Sequence, residues 1–222
     1  MRAAPRHATL TAMALPRSHT RLLALGDSYT IGEGVAPDAR WPQLVARALD
    51  LGVPTVVATT GWTVAELLTG MEHAGVWPAT ATHEVVTLLI GVNDQYRGLA
   101  PELTLAQHAI AFERACALAG GEPARVVGVS IPDWGVTPFA EGRDRVRIAR
   151  EIDALNEAQR AFLRSRGAHW VDVTACSREH GADRAFLADD GLHPGSAAYA
   201  VWADAITPAV RTALAGLGPD EV

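Results

Sequence analysis

Ser28 belongs to the tripeptide Gly26-Asp27-Ser28, which directly follows a short apolar run. The run stops abruptly at the glycine, a pattern typical of a buried strand that ends in a tight turn. Open α/β sheets bind their ligands at the carboxyl ends of strands, so Ser28 lies where chemistry can occur. Because serine is a weak nucleophile at neutral pH, catalysis by Ser28 needs an adjacent base. A turn serine without a chemical role is the alternative, since Gly, Asp and Ser are common turn residues.

A base and an acid of the required types occur together near the end of the chain. His193 follows Asp190 by three residues in the segment Asp190-Gly191-Leu192-His193. Imidazole titrates near neutral pH and can accept the serine proton. A carboxylate on the other ring nitrogen holds the tautomer and stabilises the imidazolium. Asp189 is an alternative acid, but the spacing favours Asp190, and we predict a catalytic triad of Ser28, His193 and Asp190.

Acyl transfer also needs hydrogen-bond donors that are fixed around the developing oxyanion. Gly61 and Asn93 are candidates, because each follows another predicted strand and the carboxyl ends of parallel strands share one edge of a sheet. Because glycine has no side chain, substrate can approach the backbone N–H of Gly61 closely. Asn93 offers a side-chain amide. The backbone N–H of Ser28 is the third candidate donor. Alternatively, Asn93 only caps the segment that follows it, since Asn-Asp is common turn chemistry.

The stretches between these residues alternate between strand and helix patterns. The predicted strands are 21–26, 54–59, 84–90, 125–130 and 169–173, and the predicted helices are 39–50, 63–73, 102–119, 143–166 and one from 196 that is interrupted near Pro208. Asp38 is a candidate N-cap for the first helix, and Thr63 with Glu66 forms a candidate capping box. The alternation predicts a parallel sheet of about five strands with helices on both faces.

Length, composition and charge limit the class of protein. The chain has 222 residues, of which 49% are hydrophobic, and a formal net charge of −6. We predict one domain over 21–216, a flexible extension at 1–20 and a tail at 217–222. Basic residues form no run, which gives little support to nucleic-acid binding. No apolar stretch approaches the length of a membrane span, and residues 1–20 lack the apolar core of a signal peptide, so a cytoplasmic location is expected.

Motifs for other chemistries are absent from the sequence. Cys116 and Cys176 form no C-x-x-C pair, and a disulfide between them is an open question. The chain lacks H-E-x-x-H, a P-loop, a strand followed by G-x-G-x-x-G, and the G-x-S-x-G elbow. A serine mechanism supplies its own nucleophile, so we predict neither a metal nor a cofactor. The oligomeric state is left open.

Four stretches resemble, in order, the sequence blocks of the SGNH (GDSL) hydrolases. They are Gly26-Asp27-Ser28, Gly61, Gly91-Val92-Asn93-Asp94 and Asp190-Gly191-Leu192-His193. The resemblance implies a flavodoxin-like three-layer α/β/α sandwich and ester hydrolysis through an acyl-enzyme. It also implies the Ser28, His193 and Asp190 triad and an oxyanion hole of Ser28, Gly61 and Asn93. Tyr29 stands where the family motif has Leu, a departure that concerns substrate fit rather than mechanism.

Five aromatic residues fall in predicted loops at the same edge of the sheet. Either they pack the loops or they form a wall that binds an apolar acyl or aryl group. They are Tyr29, Trp62, Tyr96, Trp134 and Phe139. The leading hypothesis is a serine esterase that hydrolyses small-molecule esters of small or apolar acyl groups. The alternatives are a thioesterase or lysophospholipase, a carbohydrate deacetylase and, in another class, a catalytically silent binding module.

Overall fold

The computed structural model describes residues 21–215, so the predicted extension at 1–20 and the tail at 217–222 lie outside the described residues. Five parallel strands form one sheet in the order β2-β1-β3-β4-β5. The strands are β1 (Leu22–Gly26), β2 (Thr55–Ala58), β3 (Val85–Leu89), β4 (Val126–Val129) and β5 (His169–Val171). This order is that of the flavodoxin-like folds, in which the ligand site lies where β1 and β3 diverge. The predicted parallel α/β sheet is confirmed.

Helices cover both faces of the sheet and bury a hydrophobic cluster on each. The helices are α1 (Ser28–Ile31), α2 (Trp41–Ala48), α3 (Val64–His73), α4 (Val92–Tyr96), α5 (Pro101–Leu118), α6 (Arg145–Ser165), α7 (Thr174–His180) and α8 (Ser196–Ala215). One cluster joins the sheet to α2 and α8, and the other joins it to α3 and α5. Alternate β1 residues enter opposite clusters, with Leu22 on one face and Leu23 on the other, because successive strand side chains point to opposite faces. The result is the three-layer sandwich expected from the sequence.

The strand register brings three loops to the same edge of the sheet. Gly26 at the end of β1 is aligned with Ala58 in β2 and with Leu89 in β3. The loops that follow these strands therefore start at the same level. They carry the residues that the sequence singled out after each strand.

Two predicted helix features differ from the structure. Asp38 does not cap α2, because it lies in a separate 3-10 turn (Pro37–Ala39) and the extended backbone of Arg40 precedes the helix. Helix α8 continues through Pro208 without interruption. Proline leaves the carbonyl four residues earlier without its helical donor, and here both Pro208 and Asp204 are exposed, so that carbonyl can be hydrated. The capping box of Thr63 and Glu66 at the start of α3 is confirmed.

Two further properties concern the described chain as a whole. Cys116 and Cys176 are both free. Within residues 21–215, none of the helices combines the length and apolar character needed to cross a membrane.

Candidate active site

Ser28 is the first residue of α1, directly after β1 and its N-cap Asp27. The Asp27 side chain accepts a hydrogen bond from the Tyr29 backbone N–H at 3.0 Å, which fixes the start of the helix. No side chain fits at Gly26, because a Cβ there would lie 2.5 Å from the Leu89 carbonyl oxygen. The close strand–turn–helix connection therefore holds Ser28 in one position, where it is 3% exposed.

His193 and Asp190 form a directly hydrogen-bonded pair on the loop that precedes α8. Asp190 Oδ2 lies 2.6 Å from His193 Nδ1, and Asp190 Oδ1 accepts from the backbone N–H groups of Leu192 and His193 at 2.9 Å each. Burial raises the pKa of Asp190, but the hydrogen bonds from His193 and the two backbone groups outweigh it, so the pKa lies below its usual value. Asp190 is thus ionised at neutral pH, and its contact with Nδ1 leaves Nε2 for a partner on the other side.

One cavity brings together the residues that the sequence placed in different loops. Its volume is about 180 Å³. Its lining includes Ser28, Tyr29, Gly61, Asn93, Tyr96, Trp134, Phe139, Leu192 and His193. No hydrogen bond joins the Ser28 hydroxyl to the His193 ring among residues 21–215. Such contacts are often long in unliganded enzymes and tighten when substrate binds.

The loop that carries Gly61 is held by three side chains from the neighbourhood of α4. Asn93 Nδ2 donates to the Trp62 carbonyl at 2.9 Å, and Asp94 Oδ2 accepts from the Val64 N–H at 3.0 Å. Arg97 donates to the Gly61 carbonyl. Gly61 itself has a φ of +86°, a left-handed conformation that favours glycine. One short helix thus presents Asn93 and fixes the backbone of Gly61.

Arg97 was not among the residues singled out from the sequence. Besides contacting Gly61, its guanidinium donates to Glu66 Oε2 at 3.2 Å, and Glu66 in turn accepts from the Thr63 backbone N–H at 2.8 Å. The sequence contains one signal for Arg97: it lies four residues after Asn93, a spacing that places both side chains on one face of a helix. Nothing in the local pattern indicated that this face meets the loop after β2.

Two buried carboxyl groups lie beneath the cavity. Burial raises the pKa of Asp27 to about 8, against the lowering effect of its hydrogen bond from Tyr29, and the nearby charge of Asp94 adds to the rise. Burial also raises the pKa of Asp94, opposed by the Val64 N–H and by Arg97. Each group accepts a backbone N–H at the start of a helix. Both therefore brace the loops around the cavity.

Of the five aromatic residues, three form a contiguous group at the cavity mouth. The ring centroids of Tyr96 and Trp134 are 5.2 Å apart, and Phe139 lies 6.1 Å from each. We call Tyr96, Trp134 and Phe139 the aromatic wall. Tyr29 lies deeper in the same cavity, with its ring 5.4 Å from that of His193.

The structure does not bring the Trp62 side chain into the cavity. Its indole covers Gly70 in α3, where a Cβ would lie 2.1 Å from the ring, and it packs against the hydrophobic cluster on that face. Trp62 therefore contributes its carbonyl group to the site, as the acceptor for Asn93. The ring itself lies over Gly70 and does not line the cavity, unlike the other four aromatic residues that the sequence singled out.

Metal ligands do not cluster in the described part of the chain. Among residues 21–215, no group of three or more His, Cys, Asp or Glu side chains is arranged to hold a metal ion.

The fold is a flavodoxin-like sheet, with a serine after β1 and a His–Asp pair before the last helix. This combination is typical of a class of enzymes, the serine hydrolases. The model of the GDSL-like lipase/acylhydrolase family matches residues 24–201. The chain belongs to this family, which confirms the resemblance seen in its sequence, and it is an enzyme of the serine hydrolase class.

Solved structures of similar fold agree with this family. TesA is 22% identical, with 87% of this chain and 99% of that chain covered and a TM-score of 0.64. A GDSL-like lipase from Bacteroides thetaiotaomicron is 18% identical, with 88% of this chain and 89% of that chain covered and a TM-score of 0.66. A variant of Axe2, an acetyl-xylooligosaccharide esterase from Geobacillus, is 20% identical, with 89% and 94% covered and a TM-score of 0.63. At these identities the likeness shows the fold. No curated protein matches the chain significantly.

Proposed function

We propose that this acylhydrolase cleaves carboxylic esters of small or apolar acyl groups through an acyl-enzyme on Ser28. The observation that carries the proposal is the 2.6 Å contact between Asp190 Oδ2 and His193 Nδ1, made by a histidine that shares one cavity with Ser28. An ionised carboxylate on Nδ1 keeps the proton there and leaves Nε2 as the base. The adjacent cavity is where an ester would meet the Ser28 hydroxyl.

The proposed reaction has two halves, acylation and deacylation of Ser28. His193 Nε2 takes the proton of the Ser28 hydroxyl while Ser28 Oγ attacks the carbonyl carbon of the ester. The imidazolium then protonates the departing alcohol, which leaves the acyl group on Ser28. Water repeats the sequence: His193 takes a proton from it, the oxygen attacks the acyl carbon, and Ser28 regains its proton as the acid leaves.

Three donors are proposed for the negative oxygen that forms in each step. They are the backbone N–H of Ser28, the backbone N–H of Gly61 and the side-chain amide of Asn93. The contacts from Asn93 and Arg97 to the 61–62 backbone support this role, because donors that are fixed before the reaction need no reorganisation during it.

The aromatic wall favours apolar acyl groups among the possible substrates. Tyr96 and Phe139 are 43% and 40% exposed at the mouth, and Trp134 is 4% exposed behind them. Aromatic faces of this kind also stack on sugar rings, and Axe2 of similar fold acts on an acetylated xylooligosaccharide. A carbohydrate deacetylase is therefore the second candidate. Thioesters and lysophospholipids would pass through the same steps.

Labelling with a fluorophosphonate and a substrate panel test the proposal together. The wild type should label at Ser28 and hydrolyse p-nitrophenyl esters, and Ser28→Ala should lose both, with kcat reduced by about 10⁴-fold or more. Comparison of acetate to decanoate esters with acetylated xylooligosaccharides, acyl thioesters and lysophospholipids separates the candidates. A chain that neither labels nor hydrolyses any of them would be a silent binding module, and the proposal would fail.

A further inference from the structure

A cation at the mouth of the cavity has no part in the proposed mechanism. Arg143 lies in the segment before α6, and its guanidinium carbon is 5.1 Å from the Tyr96 ring centroid, 5.4 Å from that of Trp134 and 5.5 Å from that of Phe139. One guanidinium N–H also donates to the Tyr96 hydroxyl at 3.1 Å. All three rings line the cavity of the proposed nucleophile, so the charge is fixed beside that cavity.

Three arginines near the start of α6 form no ion pair within residues 21–215, namely Arg143, Arg145 and Arg150, and of these Arg143 has the cation–π contacts with the aromatic wall. By contrast, Arg97 pairs with Glu66 and Arg147 pairs with Glu151. The adjacent carboxylate of Asp144 is used as the N-cap of α6. A guanidinium has five N–H donors, and the Tyr96 hydroxyl takes one of them. The others are open to a ligand, since Arg143 is exposed.

We propose that Arg143 binds an anionic group, a carboxylate or a phosphate, on the part of the substrate that projects from the cavity. The planar fork of guanidinium donors matches both groups. Stacking on the aromatic wall restricts the side chain in advance, so less freedom is lost when the anion binds. This inference rests on the proposed ester hydrolysis at the same site and narrows its substrate class.

The position of Arg143 also indicates that the charge lies at some distance from the ester. Arg143 contacts the wall residues but does not itself line the cavity. The anion therefore lies beyond the rings, separated from the ester by an apolar segment that the wall covers. A local cation matters here because the chain as a whole has a net charge of −6 and repels anions.

Two pairs of esters test the proposal and locate the charge. In the first pair, p-nitrophenyl hydrogen adipate and p-nitrophenyl methyl adipate, the anion is on the acyl side. In the second, 4-acetoxybenzoate and its methyl ester, the anion is on the leaving group. For each pair we take the ratio of kcat/KM for the anionic ester to that for the neutral ester. In Arg143→Gln this ratio should fall by about 2- to 5-fold for the pair whose charge reaches Arg143, and in Arg143→Glu it should fall further.

Control measurements separate anion binding from other effects of the substitution. Arg150→Gln removes one charge from an exposed arginine of α6 that has no cation–π contact with the wall, and it should leave both ratios unchanged. Added salt should lower the wild-type ratio, because it screens the attraction to Arg143, and should not lower the ratio in Arg143→Gln, where it screens only the repulsion by the negative chain. If Arg143→Gln slows anionic and neutral esters equally, or slows neither, Arg143 only braces the rings and the proposal is overturned.

A binding measurement keeps this inference distinct from the proposed function. Ligand-observed NMR compares the monoamide of adipic acid, an anion, with the uncharged diamide, because an esterase leaves these amides intact during the measurement. The wild type should bind the anion more tightly, and Arg143→Gln should lose that preference. Equal binding in both proteins would overturn the anion site even if the esterase is active. Preferential binding by a protein that hydrolyses no ester would instead refute only the proposed function.

Discussion

The two sides of the cavity are built from different interactions. Ser28, Gly61 and Asn93 form one side, which we call the polar floor, and the aromatic wall forms the other. The floor residues follow β1, β2 and β3, whose ends the register aligns, and hydrogen bonds from α1 and α4 fix their backbone. The wall is held by ring contacts and by few polar ones, such as the Trp134 Nε1 donation to Gln95 at 2.8 Å.

This difference divides the proposed tasks. Bond making and breaking needs atoms held within a fraction of an ångström, which hydrogen bonds at the edge of the sheet provide. Binding an apolar group needs area rather than exact position, and the aromatic wall provides it, with Tyr96 and Phe139 partly exposed at the cavity mouth. We therefore expect substitutions at the floor and at its His–Asp pair to change kcat greatly, and substitutions at the wall to change selectivity modestly.

The largest effect in this comparison is expected at the acid beside His193. Asp190→Asn should lower kcat by about 10⁴-fold, because an amide on Nδ1 no longer enforces the tautomer that leaves Nε2 as a base. Asp189→Asn is the matched control, since Asp189 is an exposed neighbour in the same loop and the alternative acid from the sequence. Steady-state rates on p-nitrophenyl butyrate measure both. A greater loss in Asp189→Asn would show that Asp189, and not Asp190, orients His193.

A smaller loss is expected at the floor itself. Asn93→Ala should lower kcat by about 10²- to 10³-fold, the usual cost of removing one oxyanion donor. The same amide also donates to the Trp62 carbonyl, so thermal unfolding is measured in parallel. A loss of stability without a loss of kcat would mean that Asn93 only holds the loop after β2, and it would have no part in the oxyanion hole.

A residue that supports the polar floor, Arg97, should affect kcat less than the floor residues themselves. Arg97→Gln is expected to lower kcat about tenfold, because the Gly61 backbone loses the contact that fixes it. Arg114→Gln is a matched control. Like Arg97, Arg114 of α5 donates to one backbone carbonyl and one glutamate, here Leu68 and Glu72 of α3. Both variants should lose similar stability, as urea unfolding will show. Equal kcat in the two variants would remove Arg97 from the site.

The floor was largely predictable from the sequence, and its supports were not. Each floor residue follows an apolar run within a few positions, and the geometry of parallel sheets brings such positions together without further information. The contacts of Arg97 and Arg143 join segments that are 36 and 47 residues apart, and no local pattern encodes them. Trp62 shows the same limit: its ring lies over Gly70, and the direction of a loop side chain depends on where space is left.

The smallest expected effect tests the wall. Trp134→Ala should lower the kcat/KM ratio of hexanoate to acetate esters by about 5- to 15-fold, which corresponds to contact with one or two methylene groups. Acetate does not extend to the wall, so its rate should change less. Trp134→Phe keeps a ring but loses the donor to Gln95, and it should retain most of the chain-length preference. If Trp134→Ala instead slows all acyl lengths by one factor, the wall positions the loop after β4, and the division between floor and wall does not hold.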